Sequence, residues 1–159
     1  MLLLVALAAS AWLALLLLAP LVPAPLAAAL YAVGAQICHQ RPERSLHLFA
    51  AQLPVCARCL GLYAGAAFGS TIALASAVRS RITAWSPRML LVAASIPTVV
   101  TLLAEWSGMW GGSNAVRAAA GLPLGCAVAF VVAQAAATLH YGGCAPRRPI
   151  AHNRPPTPI

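Results

Sequence analysis

The residues able to do chemistry are concentrated in one segment, ICHQRPERSLHLFAAQLPVCARCLGLYAG, residues 37–65. It carries three of the five cysteines, one of the two carboxylates and three of the ten arginines. Cys38 and His39 are followed, after sixteen intervening residues, by Cys56 and Cys59 in a C-x-x-C pair. A C-x-x-C turn aims two thiolates at one ion, and a further Cys with an imidazole completes a tetrahedral Cys3His set that zinc accepts. Adjacent Cys38 and His39 can ligate together only through an awkward local backbone, so Glu43 or His47 is an alternative fourth ligand. The same thiols support a redox reading. A C-x-x-C pair at a helix start and beside arginines has a lowered thiol pKa and exchanges disulfides; Cys38 would be the resolving thiol and a quinone the electron acceptor, by analogy with other small membrane thiol oxidants. A third reading is an anion or lipid-headgroup site, because the guanidinium forks of Arg41, Arg44, Arg58 and Arg117 match phosphate oxygens. For any single arginine, anchoring at a membrane interface is the plainer role.

The rest of the chain must hold these groups, and it is oily. Of 159 residues, 62% are hydrophobic and only 8% charged, against about half apolar and a quarter charged in soluble domains. The implied solvent is a lipid bilayer. Lysine and aspartate are absent, so ten arginines against Glu43 and Glu105 give the formal net charge of +8. That excess does not describe a nucleic-acid binder: the arginines are scattered among apolar runs, with no recognition helix or aromatic platform. Charge flanking membrane spans accounts for them. Nothing in the sequence specifies a protein partner.

A spanning helix needs about 20 apolar residues, and four stretches qualify: about 2–19, 60–78, 89–106 and 115–139. The first lacks a basic leader and reads as a span rather than a cleaved signal peptide. A fifth stretch, Leu26 to Ile37, is shorter and follows the proline-rich PLVPAP; it reads as a re-entrant or interfacial half-helix. The expected fold is therefore all-α, an integral membrane four-helix bundle of residues 1–141 with a half-helix and a Cys/His-rich loop at 38–59. Residues 142–159, rich in proline and arginine, form a tail expected to be disordered. Pro97 and Pro123 should kink their spans, which lipid-embedded helices accept when neighbours satisfy the freed carbonyls. Within the loop, PERSLHLFAAQL is expected to form a short helix with Pro42 and Glu43 in its first turn.

Two stripes of small residues recur every four positions: Gly61, Gly65, Gly69, Ala73, Ala77, and Gly121, Gly125, Ala129, Ala133, Ala137. Faces without bulky side chains let lipid-embedded helices approach closely, so the second and fourth spans should pack together. If four helices alternate, the cysteine loop and the loop between spans three and four share one membrane face. Glu43, Arg44, Arg58, Glu105, Asn114 and Arg117 would then form one polar lining. Glu105 pairs with Arg117, with Arg58 as competitor; the bland alternative is an ion pair that only positions helices. Cys126 reads as a small core residue, while Cys144, His140 and His152 have no evident partners.

At ICHQRPERS, PVCARCLGLYAG and SNAVRAAAGLPLG the chain resembles a family of small predicted membrane proteins of bacteria and archaea, domain of unknown function number two thousand and eighty-five. The resemblance runs from about Tyr31 to Val128. It implies signature positions at Cys38, His39, Pro42, Glu43, Arg44, Cys56, Arg58, Cys59, Gly61, Tyr63, Gly65, Asn114, Arg117 and Gly121, and an acidic position near Glu105. It names no reaction. Orientation follows from arginine counts. Arg79, Arg81, Arg88, Arg147, Arg148 and Arg154 lie on the side of the termini, against Arg41, Arg44, Arg58 and Arg117 with the cysteines. Positive-inside logic puts the termini in the cytoplasm and the cysteine loop outside the cell membrane, where a disulfide or a metal-protected site is favoured over free thiols; a crossing by Leu26 to Ile37 would reverse this. The combined expectation is a metal site of Cys38, His39, Cys56 and Cys59, most simply for zinc in a structural, sensing or transport role. The alternatives are a membrane thiol-disulfide oxidoreductase using Cys56 and Cys59, or the arginine-lined anion site.

Overall fold

A computed structural model describes residues 1–75 and 86–141, with side chains through Ala136. Expectations for the end of span two, for Ala77, Ala137, Arg79 and Arg81, and for the tail at 142–159 fall outside those described residues or side chains. The described chain is mostly helical, with five α-helices and one small antiparallel hairpin.

Helix α1 runs Leu2–Leu18 and tightens into a 3₁₀ turn at Ala19–Leu21. Pro20 lies in that turn and Pro23 follows it, and proline cannot continue an α-helix ladder. Helix α2, Ala24–Ile37, starts with a proline in its first turn. Its 14 residues reach only about 21 Å, short of the roughly 30 Å hydrocarbon core. The expected half-helix is thus present as a helix too short to cross. It ends where Cys38 takes an extended backbone.

The all-α expectation fails between α2 and the next helix. Pro42–Arg44 is a single 3₁₀ turn, and the predicted short helix over PERSLHLFAAQL is replaced by β1, Ser45–Leu48, paired antiparallel with β2, Ala51–Cys56. Leu48 pairs with Ala51, so Phe49 and Ala50 alone make the turn. Both have positive φ, 51° and 62°, the backbone that two-residue hairpin turns demand. The strand earns its place through burial: Leu53, Pro54 and Val55 are among the least exposed side chains of the protein. Leu53 and Val55 pack with Leu16 of α1, Cys38 and Leu60.

Helix α3, Ala57–Ala73, begins at the second cysteine motif. Helix α4 is Pro87–Trp106, capped by the Ser86 hydroxyl accepting from Met89 N–H, and helix α5 is Asn114–Tyr141. Three helical segments, Leu2–Leu21, Pro87–Trp106 and Asn114–Ala136, are long and apolar enough to cross a membrane. The small-residue stripes meet as expected. A Cβ placed on Gly61, Gly65 or Gly125 would overlap the carbonyl oxygens of Ala118, Leu122 and Leu62 respectively, and one on Gly69 would lie 2.8 Å from Cys126 Cα. Because Gly61, Gly65 and Gly69 meet Ala118, Leu122 and Cys126 in the same order, α3 and α5 run parallel. Helix α4 runs the other way: Thr98 donates to the Ala120 carbonyl at 2.7 Å, while Glu105 reaches Arg117. Trp12 meets Tyr63 edge-on at 6.1 Å, and Leu16 shares a cluster with Leu60, so α1 is antiparallel to α3.

Candidate functional site

At the shared end of α3, α4 and α5 the hairpin closes over the cysteines. The sulfurs of Cys38, Cys56 and Cys59 lie within 4.8 Å of one another, with Cys38 buried and the other two half-buried. All three thiols are free, with no disulfide among them. Cys38 is brought there by the turn after α2. Gln40, at φ 47°, donates from Nε2 to the Tyr31 carbonyl at 2.8 Å and to the Pro54 carbonyl at 2.7 Å. Gln52 returns a bond from its Nε2 to the Gln40 carbonyl at 2.6 Å, and the Tyr31 hydroxyl donates to the Gln52 carbonyl. Gly34 permits this closure, because a Cβ there would overlap the Pro54 carbonyl. The Cys56 N–H then donates to Cys38 Sγ at 3.1 Å. Cys56 sits just before the first turn of α3, and the hydrogen bond it accepts from the Cys59 thiol outweighs its burial, holding it well below the usual thiol range, at about 5.

A second cluster lies beside the first. Arg58 Nη2 and Arg117 Nε donate to the same oxygen of Glu105, Oε1, at 3.0 and 2.9 Å, and Arg44 Nη1 is 3.9 Å from Oε2. Pairing and competition are therefore both realised: one carboxylate holds two guanidiniums. The Glu105 side chain is only 3% exposed. Arg117 also donates to Asn114 Oδ1 and to the Gly111 carbonyl, and Asn114 Nδ2 donates to the Ser45 carbonyl at 2.9 Å, tying α5 to the hairpin. Arg58 reaches Thr101 Oγ1 at 3.4 Å. Among the described residues, two buried polar atoms, Arg58 Nε and Glu105 Oε2, have no hydrogen-bond partner.

Residues of both clusters line one cavity of about 510 Å3. Cys38, His39, Cys56 and Cys59 share it with Arg41, Arg44, Arg58 and Arg117, with Ile37 and Trp106 among them. His39 lines the cavity but is exposed and does not belong to the sulfur group. Glu43 is exposed in the 3₁₀ turn, and His47 is exposed on β1; neither belongs to that group. Sequence reasoning missed Gln40, Gln52 and Ser45, which position the site through backbone contacts. No spacing rule marks such residues, and Gln40 shows only as a polar residue beside Cys38-His39.

The chain matches the family of predicted membrane proteins DUF2085 over residues 38–131, a region that holds every residue of both clusters. It belongs to that family. Similar proteins include an uncharacterized protein of Methanothermobacter thermautotrophicus, 33% identical over 95 residues, which are 60% of this chain and 83% of the relative. An uncharacterized protein of Methanocaldococcus jannaschii is 51% identical over 43 residues, 27% of this chain. Those 43 residues are only 28% of that relative's length. No solved structure matches the chain.

Proposed function

We propose that the protein is a multi-pass membrane protein whose Cys38, Cys56 and Cys59 thiolates hold a soft or borderline metal ion, zinc being the simplest choice. The observation carrying this reading is the convergence of three sulfurs from three different places, the end of α2, the end of β2 and the first turn of α3, to within 4.8 Å. Sulfurs around a tetrahedral zinc stand about 3.8 Å apart, given Zn–S bonds of about 2.3 Å. Closing the remaining gap takes side-chain adjustments of about 1 Å. The hydrogen bond from Cys59 favours the thiolate at Cys56, while the Cys59 thiol is pushed up in turn and would give up its proton on binding the ion. His39, which lines the same cavity, is the chain's own candidate for the fourth position. Helices α1, α3, α4 and α5 would form a four-helix bundle, their alternating directions suiting four crossings, with α2 and the hairpin at one face.

The experiment is metal analysis of protein purified in detergent without a metal-affinity tag. We expect about one zinc per chain, lost in Cys38→Ser, Cys56→Ser and Cys59→Ser alike; metal-free wild-type protein that takes up no added zinc would overturn the reading. One observation favours a second reading, thiol-disulfide exchange: Cys56 has the depressed pKa of an attacking thiol and Cys59 lies beside it. That reading requires a Cys56–Cys59 disulfide in cells that changes with quinone availability, visible by alkylation trapping.

A further inference from the structure

We infer that the arginines lining the cavity bind a phosphate group, independently of any metal held by the thiols. Four guanidiniums, from Arg41, Arg44, Arg58 and Arg117, line one cavity. Among the described residues the carboxylate ion-paired with them is that of Glu105, its Oε1 already taken by Arg58 and Arg117, while Glu43, beside Arg44 in the 3₁₀ turn, is exposed. The lining therefore keeps a positive excess in a place partly shielded from water. A buried donor without an acceptor is costly, and Arg58 Nε is such a donor on a side chain only 16% exposed. Arg44 stands 3.9 Å from Glu105, beyond hydrogen-bond reach, and Arg41 is exposed at the rim. These donors approach from the turn after α2, from α3 and from α5.

The direction of approach selects the anion. A carboxylate offers two oxygens in one plane, whereas a tetrahedral phosphate presents its oxygens in three dimensions to guanidiniums arriving from several sides. At about 510 Å3 the cavity has the size of a small-molecule site and leaves room for an organic group on the phosphate. Ile37 and Trp106 supply apolar lining for that group. The phosphate can belong to a soluble phosphate or to a lipid headgroup; the chemistry recognised is the same.

The test uses the full chain, metal-free, in a maltoside detergent that contains no phosphorus. Titration calorimetry with inorganic phosphate is the first arm, and native mass spectrometry of phosphatidylglycerol retained from mixed micelles is the second. Saturable binding in the first arm identifies a soluble phosphate, and retention in the second alone identifies a headgroup. Arg41→Gln with Arg44→Gln should weaken whichever binding is seen by about tenfold or more, the effect of losing one charged hydrogen bond. Arg41 is exposed and Arg44 stands beyond hydrogen-bond reach of Glu105, so the melting temperature without ligand should stay nearly unchanged. Arg58→Lys, which keeps the charge and removes Nε, should weaken it as well. Cys56→Ser with Cys59→Ser should leave it intact, so a failed metal reading does not disturb this one. Absence of binding in both arms, or binding untouched by the rim and Arg58 variants, would overturn the inference.

Discussion

Cys56 concentrates the site's reactivity in one atom. It is half-buried, it terminates β2, and its thiol lies well below the usual range, at about 5, because Cys59 hydrogen-bonds to it. The sign is that of a depressed acid: thiolate above about pH 5, thiol below. In metal-free protein, alkylation of Cys56 by iodoacetamide should hold a plateau from neutral pH down to about pH 6 and fall through about pH 5. Mass spectrometry of the labelled peptide reads the profile, and a midpoint near the ordinary thiol value would show that the contact with Cys59 does not form. At this scale the sequence was informative where chemistry depends on residue type. C-x-x-C with Cys38 marked the sulfurs, and Glu105 with Arg58 and Arg117 marked the ion cluster, because a carboxylate in an oily chain needs a cation. It was uninformative about His39, whose direction depends on the backbone of Cys38, and about Gln40, which acts through main-chain carbonyls.

Two elements show why some of the fold was legible and some was not. The glycine stripes of α3 and α5 were readable because a four-residue period of small side chains has one use in lipid, close backbone contact. The hairpin was misread as a helix because its turn is Phe49-Ala50, neither of which favours the positive φ that both adopt; Asn-Gly would have announced it. What holds that turn is long-range, the burial of Leu53 and Val55 against Leu16 of α1 and Leu60 of α3. The stripe carries a prediction of its own. Gly65→Val puts methyl groups where the Leu122 carbonyl already sits; overpacking of this kind costs about 1–3 kcal/mol or more. Thermal unfolding in detergent should show a clear loss for Gly65→Val. Gly111→Ala, where a Cβ would meet nothing within 4 Å, should melt like the parent. Equal melting temperatures for both variants would mean that α3 and α5 do not touch along this face.

For the molecule as a whole, the site exists only because separate elements end at one level. Cys38 comes from α2, Cys56 from the hairpin, Cys59 and Arg58 from α3, Glu105 from the last turn of α4 and Arg117 from the first turn of α5. Parallel α3 and α5 place the start of both at this level, antiparallel α4 delivers its end there, and antiparallel α1 delivers Leu16 beneath the hairpin. Met1 and Tyr141 consequently lie toward the opposite face. If α1, α3, α4 and α5 each cross the bilayer and α2 does not, both ends of the described chain share one side, and the arginine balance predicts that this side is cytoplasmic. Green fluorescent protein fused before Leu2 or after Tyr141 should then fluoresce in both cases. Alkaline phosphatase fused after Gly108, in the turn between α4 and α5, should be active. Fluorescence at only one terminus would mean an odd number of crossings and would assign a span to α2, despite its length of about 21 Å. Both fusions dark with the phosphatase inactive would keep the four crossings and invert them, putting the thiols in the reducing compartment. There a persistent disulfide is disfavoured, and the metal reading would gain over the redox one.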